Sequence, residues 1–229
     1  MSIKSDNLVQ VWDCKDLVDK ASSYDHSNME KCKDDFVTIS EPFKEYKHEA
    51  GGAPTCCTWL PTDSNQFAVG YSTGQVAFFD YKTGQVSSSV DLESEVVSIT
   101  AHELQPQVML AHANGKVTIY DFAQKSTIGT LTPDMPSDCH IQSLSLLNNC
   151  LNLLIGLSSG DILLYDLKTL SLTSTISKAH LTKYDESVTC LMAIQSLPGA
   201  AKPVPFFVSG GADGMIKMYE HNPYVVKNE

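Results

Sequence analysis

The chain has 229 residues, 42% of them hydrophobic, and a net charge of −11. That length buries a sizeable core, and so acidic a balance excludes nucleic acid and anionic membrane surfaces as partners, because nothing neutralises phosphates. Seven cysteines (Cys14, Cys32, Cys56, Cys57, Cys139, Cys150 and Cys190), an odd number with no C-x-x-C pair, exclude a secreted disulfide framework.

In chain order the first element is a short alternating strand at 8–13, LVQVWD. Residues 20–52 follow as a charged stretch with one β-like run at 36–39, read as an outer strand within a loop. Next come sets of four short strands. The first set is 55–60, 66–71, 75–80 and 85–90; the second is 96–101, 108–112, 116–121 and 127–131. The third is 141–146, 151–157, 161–166 and 172–176, and a last group has three, at 188–194, 205–209 and 215–220. A turn ending in glycine precedes each third strand (Gly74, Gly115, Gly160, Gly214), where a tight hairpin demands a positive φ. No segment has a sustained helical period. Residues 196–205 enlarge the last hairpin, and 222–229 form a tail. The most apolar stretch, 144–157, is too short for a membrane span. Residues 1–13 lack the apolar core of a secretory leader, so the expected compartment is cytoplasmic.

Five segments end alike: LVQVWD (8–13), GQVAFFD (74–80), GKVTIYD (115–121), GDILLYD (160–166) and GMIKMYE (214–220). Each closes on an aromatic followed by an acid. The acids Asp80, Asp121, Asp166 and Glu220 stand 41, 45 and 54 residues apart. A period of about 40–45 residues with a Trp-Asp-like ending marks the blades of a WD-repeat β-propeller. The expected fold is therefore all-β, one propeller region over 1–221. Blades are expected near 53–92, 93–133, 138–178 and 185–221, with a partial blade at 7–40. Seventeen strands do not divide into fours, so the expectation is an incomplete propeller, part of a larger ring.

Motifs of catalysis dissolve in this frame. Gly156 to Gly160 and Gly70 to Gly74 both match G-x-S-x-G, but each precedes a strand, whereas a nucleophile elbow precedes a helix. No histidine pairs at metal spacing, and no cofactor is expected. His180, Ser209 and Asp213 fit a hydrogen-bonded network that fixes a blade, with Tyr219 where tryptophan is usual. Partner binding is expected at the end where inner strands begin, on a rim of Glu93, Glu95, His140, Tyr184, Asp185 and Glu186. Such an acidic rim prefers a basic partner segment.

The segments GDILLYDLKTLSLTSTISKAH, LTKYDESVTCLM and SGGADGMIKMYE resemble the C-terminal end of the striatin family. An Ala-His pair there is followed by a basic and aromatic stretch, an acidic pair, an inner strand and a closing G-A-D hairpin. GYSTGQVAFFDYKTGQVSSSV and HANGKVTIYD fit the same order, so the likeness covers roughly 7–221. The resemblance implies a non-enzymatic scaffold that assembles phosphatase and kinase signalling complexes. The coiled coil through which that family recruits its phosphatase has no counterpart in this sequence, so only the propeller's protein-binding surface carries over. The competing readings are a hydrolase using a propeller pocket and a truncated isoform without function.

Overall fold

The computed structural model describes residues 2–4, 8–13, 15, 41–48, 52–63, 65–147, 150–181, 187–194 and 206–220. All eighteen described elements are strands, and every pairing between them is antiparallel. The architecture is a β-propeller of four blades with a further three-stranded sheet at the N-terminus. The N-terminal sheet holds β1 (Ser2–Lys4), β2 (Leu8–Val11) and β3 (Lys44–Lys47). The second sheet runs β4 (Pro54–Trp59), β5 (Gln66–Tyr71), β6 (Gln75–Asp80) and β7 (Val86–Asp91). The third runs β8 (Val96–Ala101), β9 (Gln107–His112), β10 (Val117–Asp121) and β11 (Ser126–Leu131). The fourth runs β12 (Ile141–Leu147), β13 (Asn152–Leu157), β14 (Ile162–Asp166) and β15 (Ser171–Ile176). The last has β16 (Val188–Ile194), β17 (Phe206–Gly211) and β18 (Ile216–Glu220).

Two differences from the sequence reading concern the N-terminal sheet. Strand β1 adds an eighteenth strand, and the outer strand observed within 20–52 is Lys44–Lys47. The run at 36–39 lies outside the described residues, as does the tail at 222–229. β1 meets β4 as the second strands β5, β9 and β13 meet the first strand of the following sheet. By that placement β1, β2 and β3 hold the second, third and fourth positions, and the described residues include no first strand for this sheet.

The acid that closes each repeat has a local job. Asp80 Oδ1 accepts the Thr83 N–H (2.7 Å), Asp121 Oδ1 that of Gln124 (2.8 Å) and Asp166 Oδ1 that of Thr169 (2.7 Å). Each carboxylate thereby closes the turn from third to fourth strand. These N–H groups hold the Asp80 and Asp166 carboxyls below their ordinary range. The aromatic before the acid stacks on its cross-strand partner within the same sheet: Phe79 on Phe67 at 5.2 Å and Tyr219 on Phe207 at 4.9 Å.

Sheets pack in chain order, first strand beside first strand from β4 to β8, β12 and β16. A small residue faces each junction, paired with a cysteine or serine across the ladder: Gly70 with Cys56, Ala111 with Ser98, Gly156 with Ser143 and Gly210 with Cys190. A Cβ on Gly70 would stand 2.8 Å from Val96 Cγ1, and one on Gly156 2.8 Å from Val188 Cγ1, so the next sheet sits directly against bare backbone. Side-chain hydroxyls stitch the layers. Thr55 donates to the Val96 carbonyl, the Leu144 N–H to Ser98 Oγ (3.2 Å) and the Ala193 N–H to Ser145 Oγ (3.0 Å). The N-terminal sheet joins through Val9, Val11 and Tyr46, which pack on Phe67, Val69 and Phe79. Beyond Gly210 nothing comparable follows: Met192, Ile216 and Met218 are 65%, 78% and 60% exposed. Among the described residues no strand pairs with the outer edge of β18.

Gly156→Ala therefore forces Val188 away and is expected to cost about 1–3 kcal/mol. Gly210→Ala meets only its own sheet's Cys190 Sγ, at 2.7 Å, and Thr189 Oγ1, so its cost stays near about 1 kcal/mol. Urea unfolding of both variants checks this, and equal losses would show that the neighbouring sheet is not what Gly156 accommodates.

Candidate functional site

Three places combine polar groups in ways the fold alone does not require. The first is His180, in the turn after β15. Its Nδ1 lies 2.8 Å from Asp213 Oδ1 and its Nε2 2.7 Å from Ser209 Oγ. Burial works to raise the Asp213 carboxyl, but hydrogen bonds from His180 and the Met215 N–H, with the nearby charge of Lys217, bring it below its ordinary range. With Asp213 ionised, Nδ1–H donates to it and Nε2 accepts the Ser209 hydroxyl. The His180 N–H donates to the Gly160 carbonyl (3.0 Å) of the fourth sheet. Lys217 donates to the Ala179 carbonyl and stands 3.7 Å from Asp213 Oδ2. The order Ser–His–Asp is that of a hydrolase triad, yet His180 and Ser209 are both 0% exposed, so no substrate carbonyl reaches Ser209 as it stands.

A similar arrangement in the third sheet escaped the sequence reading. His112 Nε2 lies 2.9 Å from Thr118 Oγ1 and Nδ1 3.1 Å from the Ser94 carbonyl. The third sheet has Asn114 in its turn where the last has Asp213, and a backbone oxygen takes the carboxylate's place. The available signal was a histidine directly before an x-Gly hairpin, two residues from Asn114. Burial, foremost, holds the His112 imidazole below its ordinary pKa.

The second place is the rim where inner strands begin. Glu93 and His140 are exposed and Glu95 is partly so. The loops are pinned by backbone: the Ala113 N–H donates to the Glu95 carbonyl (2.9 Å), and the His140 N–H to Ser158 Oγ (2.8 Å). These three residues share the end of the blades that carries the Gly74, Gly115 and Gly160 turns. Tyr184, Asp185 and Glu186 lie outside the described residues.

The third place was not foreseen and sits at the opposite end. A cavity of about 380 Å³ opens between the third and fourth sheets. Met109 and Ile119 form its floor, with Ile128 and Gly129 of β11 on one side and Leu151, Leu167 and Leu170 on the other. His102, Gln105, Gln107 and Lys168 give it a polar edge. Two wall residues have left-handed backbones, Cys150 at φ 64° and Leu170 at φ 54°. Leu170 occupies the turn position held by Gly84 (φ 79°) in the second sheet, where an L side chain costs roughly 1–2 kcal/mol. Its side chain lies over bare backbone, since a Cβ on Gly129 would sit 3.4 Å from Leu170 Cδ1. Hydrophobic patterning hides such a groove because its residues read as ordinary turn and outer-strand positions.

No protein-family model matches the chain. Among characterised proteins it is similar to a "Striatin homolog" of Dictyostelium discoideum, 24% identical over 196 residues. The match covers 80% of this chain and 22% of that relative's length, so the chain spans under a quarter of the protein it resembles. No helix among the described residues is long and apolar enough to cross a membrane.

His112 generates a pH dependence. Its folded pKa lies below the unfolded value, so the unfolded state binds the proton more readily. Its stabilising contribution is complete above the unfolded pKa, about 6.5, and is lost as pH falls from there through the folded value. Thermal midpoints measured from pH 7.5 to 5 are expected to fall, and to fall less steeply in His112→Gln. Identical slopes would show that the imidazole titrates as freely folded as unfolded.

Proposed function

We propose that the chain is a non-catalytic protein-interaction module of striatin type, which helps assemble phosphatase and kinase signalling complexes in the cytoplasm. The observation that carries this reading is the similarity to a striatin homologue along most of the chain, on a propeller fold. Within it, His180, Ser209 and Asp213 act as a clamp that ties the last blade to the fourth sheet. The acidic rim of Glu93, Glu95, His140, Tyr184, Asp185 and Glu186 takes a basic segment of a partner, which steers encounter through charge.

The test is affinity capture with the full chain and with the double variant Glu93→Lys and Glu95→Lys. Enrichment of a serine/threonine phosphatase subunit together with a kinase, lowered severalfold in the variant, is the expected result. Absence of both enzymes from the wild-type capture would sink the assembly reading. The Ser–His–Asp geometry favours one competitor, a serine hydrolase. A fluorophosphonate probe decides it: Ser209 is expected to stay unlabelled, and stoichiometric labelling there would replace the scaffold reading with an enzymatic one.

A further inference from the structure

We propose that the open face of the last sheet is a socket for the first strand of another propeller blade, presented by a partner protein with a valine or isoleucine at the start of that strand. The surface is separate from the acidic rim, and the proposal does not rest on the phosphatase and kinase reading.

The socket repeats one that the structure shows filled. In the second sheet a bulge in β4 leaves Thr55 unpaired between Pro54 and Cys56, and bulges re-aim side chains. The Thr55 hydroxyl lies 3.1 Å from the Gly70 carbonyl and reaches the Val96 carbonyl of the next layer. Cys56 Sγ would stand 2.7 Å from a Cβ on Gly70. In the last sheet β16 has the same bulge, between Val188 and Cys190, with Thr189 in it. The Thr189 hydroxyl lies 3.0 Å from the Gly210 carbonyl, and Cys190 Sγ would stand 2.7 Å from a Cβ on Gly210. Threonine, cysteine and glycine thus hold the same three places in both sheets.

The two faces are alike in register and unlike in cover. Cys56, Gly70 and Val76 form one row across the second sheet, and Cys190, Gly210 and Ile216 form the matching row across the last. The adjacent rows end at Phe78 and at Met218. Val76 and Phe78 are buried in a cluster with Val96 and Ile99 of β8. Ile216, Met218 and Met192 stand open around Gly210. Apolar side chains gathered around one stretch of bare backbone mark an interaction surface.

What covers the filled sockets selects the occupant. Gly70 takes Val96 and Gly156 takes Val188, each the first residue of the next sheet's first strand. The branched side chain fills the space over the glycine, and the same residue's carbonyl accepts a hydroxyl, from Thr55 in one case and from Ser143 (3.4 Å) in the other. A second copy fits less well. Strands β4, β8, β12 and β16 are all seated within the chain, and the described residues of the N-terminal sheet include no first strand.

The experiment uses the full chain and a fluorescent peptide of residues 93–113, closed head to tail, which carries β8 and β9. Saturable binding by anisotropy is expected. It should weaken about tenfold in Gly210→Ala, where the new methyl crowds the incoming valine, and in Met192→Lys, which sets a charge on the face. Met192→Lys alters an exposed side chain and is expected to keep the thermal midpoint, so its loss of binding is not a loss of fold. A peptide carrying Val96→Lys should not bind, and the Glu93→Lys, Glu95→Lys chain should bind unaltered. No saturable binding, equal binding of the Val96→Lys peptide, or undiminished binding by either socket variant overturns the proposal. So does self-association abolished by Met192→Lys, which assigns the face to a second copy. Binding that appears only after removal of residues 221–229 also overturns it, by assigning the face to the chain's own tail. Peptide binding without capture of a phosphatase or kinase would leave the socket standing and fail the assembly reading; the converse would fail the socket alone.

Discussion

At two of the junctions between sheets the spacing is set where one layer's backbone meets the next layer's β-branched side chain. Val96 over Gly70 and Val188 over Gly156 bring a second strand and the next sheet's first strand so close that no Cβ fits between them. From that contact follow the short reach of Thr55 to the Val96 carbonyl and the links through Ser98 and Ser145. The outer strands are far less covered, as in β15, whose faces are largely exposed. The groove between the third and fourth sheets lies at the far end of the strands from the first-strand starts, where the sheets' turns frame an opening.

The two ends of the blades carry different side chains. One end gathers Glu93, Glu95 and His140 on loops tied to the glycine hairpins. The other presents Lys168 and a fixed imidazole donor beside exposed aliphatic side chains.

The blade strands were legible because alternation, x-Gly turns and the aromatic–acid ending repeat with the fold's own period. The reason for the acid, closing a turn through Asp80, Asp121 or Asp166, is visible only once the turn is folded. The short β1 and the outer strand at Lys44–Lys47 were missed because three or four residues carry too little pattern, and Lys-Glu-Tyr-Lys offers one apolar position. The rim is legible in sequence because the loops before inner strands are easy to locate. The opposite groove depends on Leu170, Leu151 and Ile128 converging from separate turns and strands, which no linear spacing encodes.

Cys56 and Cys190 occupy equivalent places in the second and last sheets, each beside its small residue, Gly70 or Gly210. Covered by the next layer, the Cys56 thiol is pushed up to about 12 and is chemically silent at neutral pH. Cys190, with no layer over it among the described residues, is exposed. The repeat has thus installed a sulfur at both a sealed and an unsealed junction. Alkylation of Cys190 becomes a natural gauge of occupancy: whatever seats itself on the last sheet silences that thiol as the third sheet silences Cys56.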